Sequence, residues 1–162
     1  MQKLSNTTHP FKPIIENNSN ILILGSFPSI NSFKNSFYYA HKQNQFWKIL
    51  SNIYNKDIKT KKAKIALLKE KNIALWDIIE SCQRKNSSDA NLKDIKVNDI
   101  ELLLKKYKNI KIIFFTSKTA EKLYNKYFSH LHIKTDYLPS PSPAYASIAL
   151  EIKTKVYKEK LL

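Results

Sequence analysis

Three side chains of this 162-residue chain have the chemistry to orient or activate a water molecule: Asn44, Asp77 and Asp89. The amide of Asn44 both donates and accepts, so it can hold a water or read the edge of a heterocycle. Asp77 closes an apolar run, and a carboxylate there can take a proton from water. Each also has a plainer role. Asn44 precedes an apolar-periodic segment and suits a helix N-cap, and Asp77 suits a turn or cap. Asp89 stands in a polar loop and is the weaker candidate. Short hydroxyls and prolines cluster at GSFPS (25–29) and PSPSPA (139–144). Hydroxyls and exposed peptide N–H groups can hold phosphate without long basic side chains. Proline lowers the entropy lost when such a loop is ordered.

What is missing narrows the chemistry. Gly25 is the only glycine, so neither GxGxxG nor a P-loop can be written. Cys82 is the only cysteine, which rules out an internal disulfide and a four-thiolate cluster within one chain. His9, His41, His130 and His132 have no metal-ligand spacing. We therefore expect no metal and no cofactor. A small-molecule hydrolase using Ser26 or Ser29 lacks the Gly-x-Ser-x-Gly elbow and an evident histidine partner, and it ranks last.

The elements that must carry these residues alternate. Residues 20–25, 72–76, 110–115 and 133–138 read as short apolar strands. Helices are expected from Asn44 through Ile53, from a Thr60 cap to Lys69, over 97–107, from Thr116 or Ser117 to Phe128, and at the C-terminus with Ile148, Ile152 and Val156 on one face. Residues 77–96 read as polar and irregular, and residues 1–20 as an arm packing through Phe11, Ile14 and Ile15. Ser142 followed by Pro143 reads as the start of the last helix. Strand and helix alternation argues for one α/β domain over residues 1–162 with a parallel sheet covered on both faces. In such a sheet the loops 25–47 and 138–146 leave one edge and face each other across a cleft. Gly25 permits a turn or a close approach there.

A net charge of +15 suggests an anionic partner, nucleic acid first. Arg84 is the only arginine among the 28 basic residues, so A/T-rich coding is a competing source of the charge. No apolar run approaches a membrane span, and no secretory leader is evident, so a cytoplasmic location without membrane contact is expected.

GSFPS, then YYAHKQNQFW, and later LPSPSPA resemble the motifs of the uracil-DNA glycosylase superfamily, in particular its hypoxanthine-DNA (deoxyinosine) glycosylase branch. LWDIIESCQR followed by SSD, and KIIFFTSKTAEKLY, resemble the same branch, and the likeness spans residues 21–146. The resemblance implies a three-layer α/β/α sandwich with a mainly parallel four-stranded sheet. It implies a monofunctional, monomeric base-excision-repair enzyme that flips a deaminated base out of DNA and hydrolyses its N-glycosidic bond. In that branch the catalytic amide is the Asn before Phe-Trp, here Asn44, and Asp77 and Asp89 also have matching positions. Gly25, Ser26, Phe27, Tyr39 and Phe46 would then hold the base, between Phe27 and Phe46. Pro28, Ser29, Ser140, Pro141, Ser142, Pro143, Ala144 and Tyr145 would contact DNA, with Tyr145 as a wedge. The chain departs from related patterns at Phe27, where mismatch-specific members carry Asn, at Thr116-Ser117 in place of Asn-Gly, and at Tyr145 in place of Asn. The alternative is a non-catalytic nucleic-acid-binding α/β module.

Overall fold

The strand β2 (Ile21–Gly25) is the axis of the molecule, because its alternate side chains serve two different cores. Ile23 packs on one side of the sheet, and Leu22 and Leu24 on the other, all fully buried. The structure, a computed structural model, describes residues 5–162; residues 1–4 of the expected arm lie outside it. Parallel partners flank β2: β3 (Ile73–Asp77) on one side and β6 (Ile112–Phe115) on the other, with β7 (Lys134–Tyr137) beyond β6. The order is therefore β3-β2-β6-β7.

One face is covered by α2 (Phe46–Tyr54), α3 (Lys61–Glu70) and α6 (Leu150–Leu161). The other is covered by α4 (Ile100–Lys106) and α5 (Lys118–Phe128). This is the expected three-layer α/β/α sandwich. The caps follow the local sequence. Thr60 accepts from the Ala63 N–H, Asp99 from Leu102, and Ser117 from Thr119 and Ala120, each satisfying a donor that the first helical turn leaves open.

Four expectations need correction. Residues 77–96 are not irregular: β4 (Ile79–Arg84) and β5 (Lys93–Val97) form an antiparallel sheet with β1 (Ser5–Thr8), in the order β1-β4-β5. Register shifts along the β4–β5 pair and a left-handed Asp94 (φ 50°) break the alternation that marks a strand in sequence. Val97 consequently ends β5, and α4 starts at Ile100. Within loop 25–47 a short helix, α1 (Ile30–Asn35), is capped by Ser29.

The last helix differs too. Ser142 and Pro143 start only a single 3₁₀ turn, Pro143–Tyr145, and α6 begins at Leu150. Its buried face is Lys153, Tyr157 and Leu161, whereas Ile148 and Ile152 are exposed. The i, i+4, i+8 spacing was present in the sequence, but an apolar search passes over a lysine.

Residues 11–15 of the arm pack as expected: Phe11 and Ile14 join one core, Ile15 the other, and Ile14 bridges Leu75 on the outer edge of β3. Among the described residues no helix is long and apolar enough to cross a membrane.

Candidate active site

The site forms where β2, β3 and β6 end. Parallel register sets Gly25 beside Asp77. Gly25 does not have a positive φ, so its missing side chain matters for space rather than for a turn. A Cβ there would stand 2.5 Å from Asp77 Oδ1, 3.3 Å from the Tyr39 hydroxyl and 3.6 Å from Thr116 Oγ1. Three polar groups from three segments thus converge over one bare α-carbon. Tyr39 and Thr116 are joined through their hydroxyls at 3.2 Å. Tyr39 reaches this position from a left-handed backbone, φ 54°, a conformation that costs a bulky residue energy and needs surrounding structure to hold it.

Asp77 is buried, and its Oδ2 accepts from His9 Nε2 at 2.8 Å. Its backbone carbonyl accepts from Asn98 Nδ2, also at 2.8 Å. Burial, with the Asp77 charge adding to it, pushes the Tyr38 and Tyr39 phenols far above their ordinary range, so both stay protonated. The Tyr38 hydroxyl donates to the Lys12 carbonyl, and Trp47 Nε1 donates to the Tyr38 carbonyl. The arm and α2 together hold the aromatic pair in place.

Asp89 joins two strand ends. Its Oδ1 accepts from Ser26 Oγ at 2.8 Å and its Oδ2 from Ser117 Oγ at 2.9 Å. Phe27 forms a wall backed by the buried Arg84, whose guanidinium lies 5.0 Å from the Phe27 ring and 4.7 Å from the Phe33 ring. The same guanidinium donates to the Pro28 carbonyl. Arg84 therefore stiffens the GSFPS loop from behind.

Asn44 is not the N-cap that its place in the sequence suggested: Gln45 holds that position, and Asn44, one residue earlier, accepts from the Phe46 N–H through Oδ1 at 2.9 Å. That bond orients the amide and leaves Nδ2 without a partner among the described residues. The two loops meet here. Gln45 N–H donates to the Pro141 carbonyl at 2.9 Å. The ammonium of Lys153, itself fully buried, donates to Gln45 Oε1 and to the Tyr145 carbonyl, each at 2.9 Å. Burial pulls the Lys153 ammonium below its ordinary range. Ser140 and Ser142 hydroxyls accept from the Ser142 and Ala144 N–H groups, and Tyr157 donates to the Pro139 carbonyl.

These walls enclose a cavity of about 730 Å³, within the usual range for small-ligand sites. The sequence-predicted residues Asn44, Asp77, Gly25, Ser26, Phe27, Tyr39, Pro28 and Ser29 line it, and so does the segment Ser140 to Tyr145. Phe46 does not. It is fully buried and stacks behind Tyr39 with ring centroids 4.1 Å apart. The aromatic faces that meet the cavity are Phe27 and Tyr39, because the side chain that follows a helix cap turns into the core. Tyr145 stands exposed at the rim.

Sequence reasoning missed His9, Lys118, Lys122 and Lys153. Lys118 and Lys122 line the cavity from one face of α5, and their i, i+4 spacing directly after a strand end was a usable signal. Lys153 carried only its spacing with Tyr157 and Leu161, and His9 carried none. Among the described residues no three His, Cys, Asp or Glu side chains converge as a metal site.

The sequence profile of the Uracil DNA glycosylase superfamily matches residues 13–162. A hypoxanthine DNA glycosylase of Methanosarcina barkeri (strain Fusaro / DSM 804) is 33% identical over 112 residues, 68% of this chain and 71% of that protein. One from Methanosarcina acetivorans is 29% identical over 136 residues, 83% of this chain and 85% of that protein. The solution NMR structure of a candidate uracil DNA glycosylase from Methanosarcina acetivorans aligns with a TM-score of 0.80 and 26% identity, covering 94% of this chain and 97% of that one. The chain belongs to the uracil DNA glycosylase superfamily.

Proposed function

We propose that this member of the uracil DNA glycosylase superfamily is a monofunctional DNA glycosylase of base excision repair. It hydrolyses the N-glycosidic bond of a deaminated base, hypoxanthine first, with uracil and xanthine as further substrates. It acts as a cytoplasmic monomer without a cofactor. The relatives' names support the substrate class. The observation that carries the reading is one cavity at the sheet edge that holds a preoriented amide, Asn44, and a buried carboxylate, Asp77, between two Pro-Ser loops.

The roles divide by chemistry. Lys118 and Lys122 meet phosphates, and the Ser140 to Ala144 loop holds the backbone through hydroxyls and N–H groups. Tyr145 fills the gap left by the flipped nucleotide, whose extrusion costs a few kcal/mol and least for a mispaired base. The base lies between Phe27 and Tyr39. As the C1′–N bond breaks, its electron pair goes to the base and positive charge grows on the sugar. The Ser26 and Phe27 N–H groups donate to nothing within the described residues, so they are available to the departing base. Water attacks C1′. Asn44 Nδ2 donates to the water oxygen, because Oδ1 is already engaged by Phe46. Asp77 Oδ1 takes the water proton.

The test is base release from duplexes carrying a single deoxyinosine, deoxyuridine or deoxyxanthosine, read as strand breaks after alkali. Release of hypoxanthine fastest of the three is expected. Salt-dependent DNA binding with no abasic product from any duplex would sink the enzyme reading and favour the binding-module alternative.

A further inference from the structure

Asp77 is the group in this site most in need of a partner, and its partner comes from outside the segment that the family profile matches. The His9 side chain is 3% exposed and that of Asp77 7%, at an Nε2–Oδ2 separation of 2.8 Å. Ring contacts from Phe11, Phe27 and Tyr38 surround the imidazole, with centroids 5.5, 5.8 and 6.0 Å away. His9 is also held along the backbone: its N–H donates to the Glu80 carbonyl at 2.7 Å, continuing the β1–β4 pairing. The imidazole is thus fixed by a strand end and an aromatic box.

The other ring nitrogen decides which proton His9 carries. Nδ1 lies 2.9 Å from the Phe11 carbonyl and 3.1 Å from the Phe11 nitrogen. In the neutral Nε2–H tautomer the Phe11 N–H donates to Nδ1, and in the protonated ring Nδ1–H donates to the Phe11 carbonyl. In both forms Nε2 carries a hydrogen aimed at Asp77, and the buried carboxylate, which can only accept, selects them over the Nδ1–H tautomer. One carboxylate oxygen is thereby occupied. The other, Oδ1, takes no hydrogen bond from the described residues and lies over the bare α-carbon of Gly25 in the cavity wall.

We infer that His9 is a positioning residue for hydrolysis. It holds Asp77 through Oδ2 so that Oδ1 faces the attacking water, and the N-terminal arm is thereby part of the active site. The inference rests on Asp77 acting as proposed above. A buried carboxylate with a single side-chain donor is sensitive to losing it, because the charge is then left without compensation. His9 takes no proton from substrate in this scheme. The water proton passes to Asp77 Oδ1, the water oxygen bonds C1′, and the leaving base keeps the electron pair.

The experiment uses the full chain and single-turnover rates on a deoxyinosine duplex. His9→Ala should slow base release about tenfold to a hundredfold, the value of one hydrogen bond to a charged group. His9→Gln places an N–H where Nε2 stands and should stay within about threefold of the unaltered chain, a loss well below that of one such bond. In an Asp77→Asn background His9→Ala should cause no further loss, because the two side chains act as a unit. Equal losses in His9→Gln and His9→Ala, or full additivity with Asp77→Asn, would overturn the inference in favour of a packing role.

A second arm does not depend on base release. A duplex with a pyrrolidine nitrogen at the C1′ position mimics the cationic sugar, and a tetrahydrofuran abasic site is its neutral control. Preference for the cationic duplex should fall in both Asp77→Asn and His9→Ala and return in His9→Gln. No preference in the unaltered chain, or one indifferent to His9, defeats the proposal. Failure to release any of the three bases, with this preference intact, defeats only the activity reading.

Discussion

The Asn44 wall and the Asp77 wall of the cavity are built in opposite ways. Asn44 is oriented by its own neighbourhood, through one bond to the Phe46 N–H two residues on. Asp77 depends on distant segments. His9 occupies one of its oxygens from 68 residues away, and Gly25, on the neighbouring strand, leaves room for the other. A short-range device survives small shifts of the fold. A long-range one transmits them, because a carboxylate held by packed elements moves when any of them does. The Asn44 wall should therefore fail in rate alone, and the Asp77 wall in rate and stability together.

The largest effect should come from Asn44. Asn44→Ala should lower the single-turnover rate roughly 100- to 1000-fold, as for loss of a preorganised polar contact. Asn44→Asp keeps an oxygen for the Phe46 N–H but loses the free NH₂. Its melting temperature should match the unaltered chain while its rate falls as in Asn44→Ala. Retained activity in Asn44→Asp would reduce this residue to a local tie at the start of α2.

Gly25→Ala should come next and show the opposite signature. Its Cβ would meet Asp77 Oδ1 at 2.5 Å, so strand β2 or the carboxylate must give way. We expect a stability loss of about 1–3 kcal/mol, typical of overpacking, seen as a lower denaturation midpoint. Base release should fall as well, while DNA affinity changes little. An unchanged midpoint would mean that the Asp77 wall adapts as readily as the Asn44 wall.

Lys153→Met tests the tie between the walls' loops. The substitution removes a buried charge but leaves two acceptors without their donor, a loss of about 1–3 kcal/mol, so the midpoint should fall modestly. Gln45 and the Tyr145 carbonyl lose a common donor. KM for the duplex should therefore rise several-fold, with a smaller change in the chemical step, in line with a neutral-strength hydrogen bond. The smallest effect should belong to Lys118→Ala or Lys122→Ala. Each should weaken binding almost equally for damaged and undamaged duplex and reduce the log–log salt slope by about 1.

Legibility followed the same division. Residues 20–25, 72–76 and 110–115 could be read as strands because buried parallel strands are continuous apolar runs. The caps at Thr60 and Ser117 could be read because their partners lie two or three residues away. β1 (SNTT) could not, since it shows no apolar face, and β5 (KDIKV) could not, since its alternation is only Ile95 and Val97, too short to mark a strand. The strand β4 buries Arg84, a residue that pattern reading assigns to solvent. Lys153 was hidden for the same reason. Phe46 was misplaced because an aromatic at a helix start can face either a pocket or a core, and only the packing of Tyr39 against it settles which.

The sequence by itself determined the α/β alternation, the two Pro-Ser loops, the place of Asn44 at the start of α2 and the family to which they belong, since each is written in residues close together. Only the tertiary structure decided that His9 meets Asp77, that Arg84 backs Phe27, that Lys153 ties the loops, and that Gly25 serves space rather than a turn. The physical reason is range. A hydrogen bond or close approach between residues tens of positions apart leaves no periodicity in the chain, and it exists only once both cores have packed against the sheet.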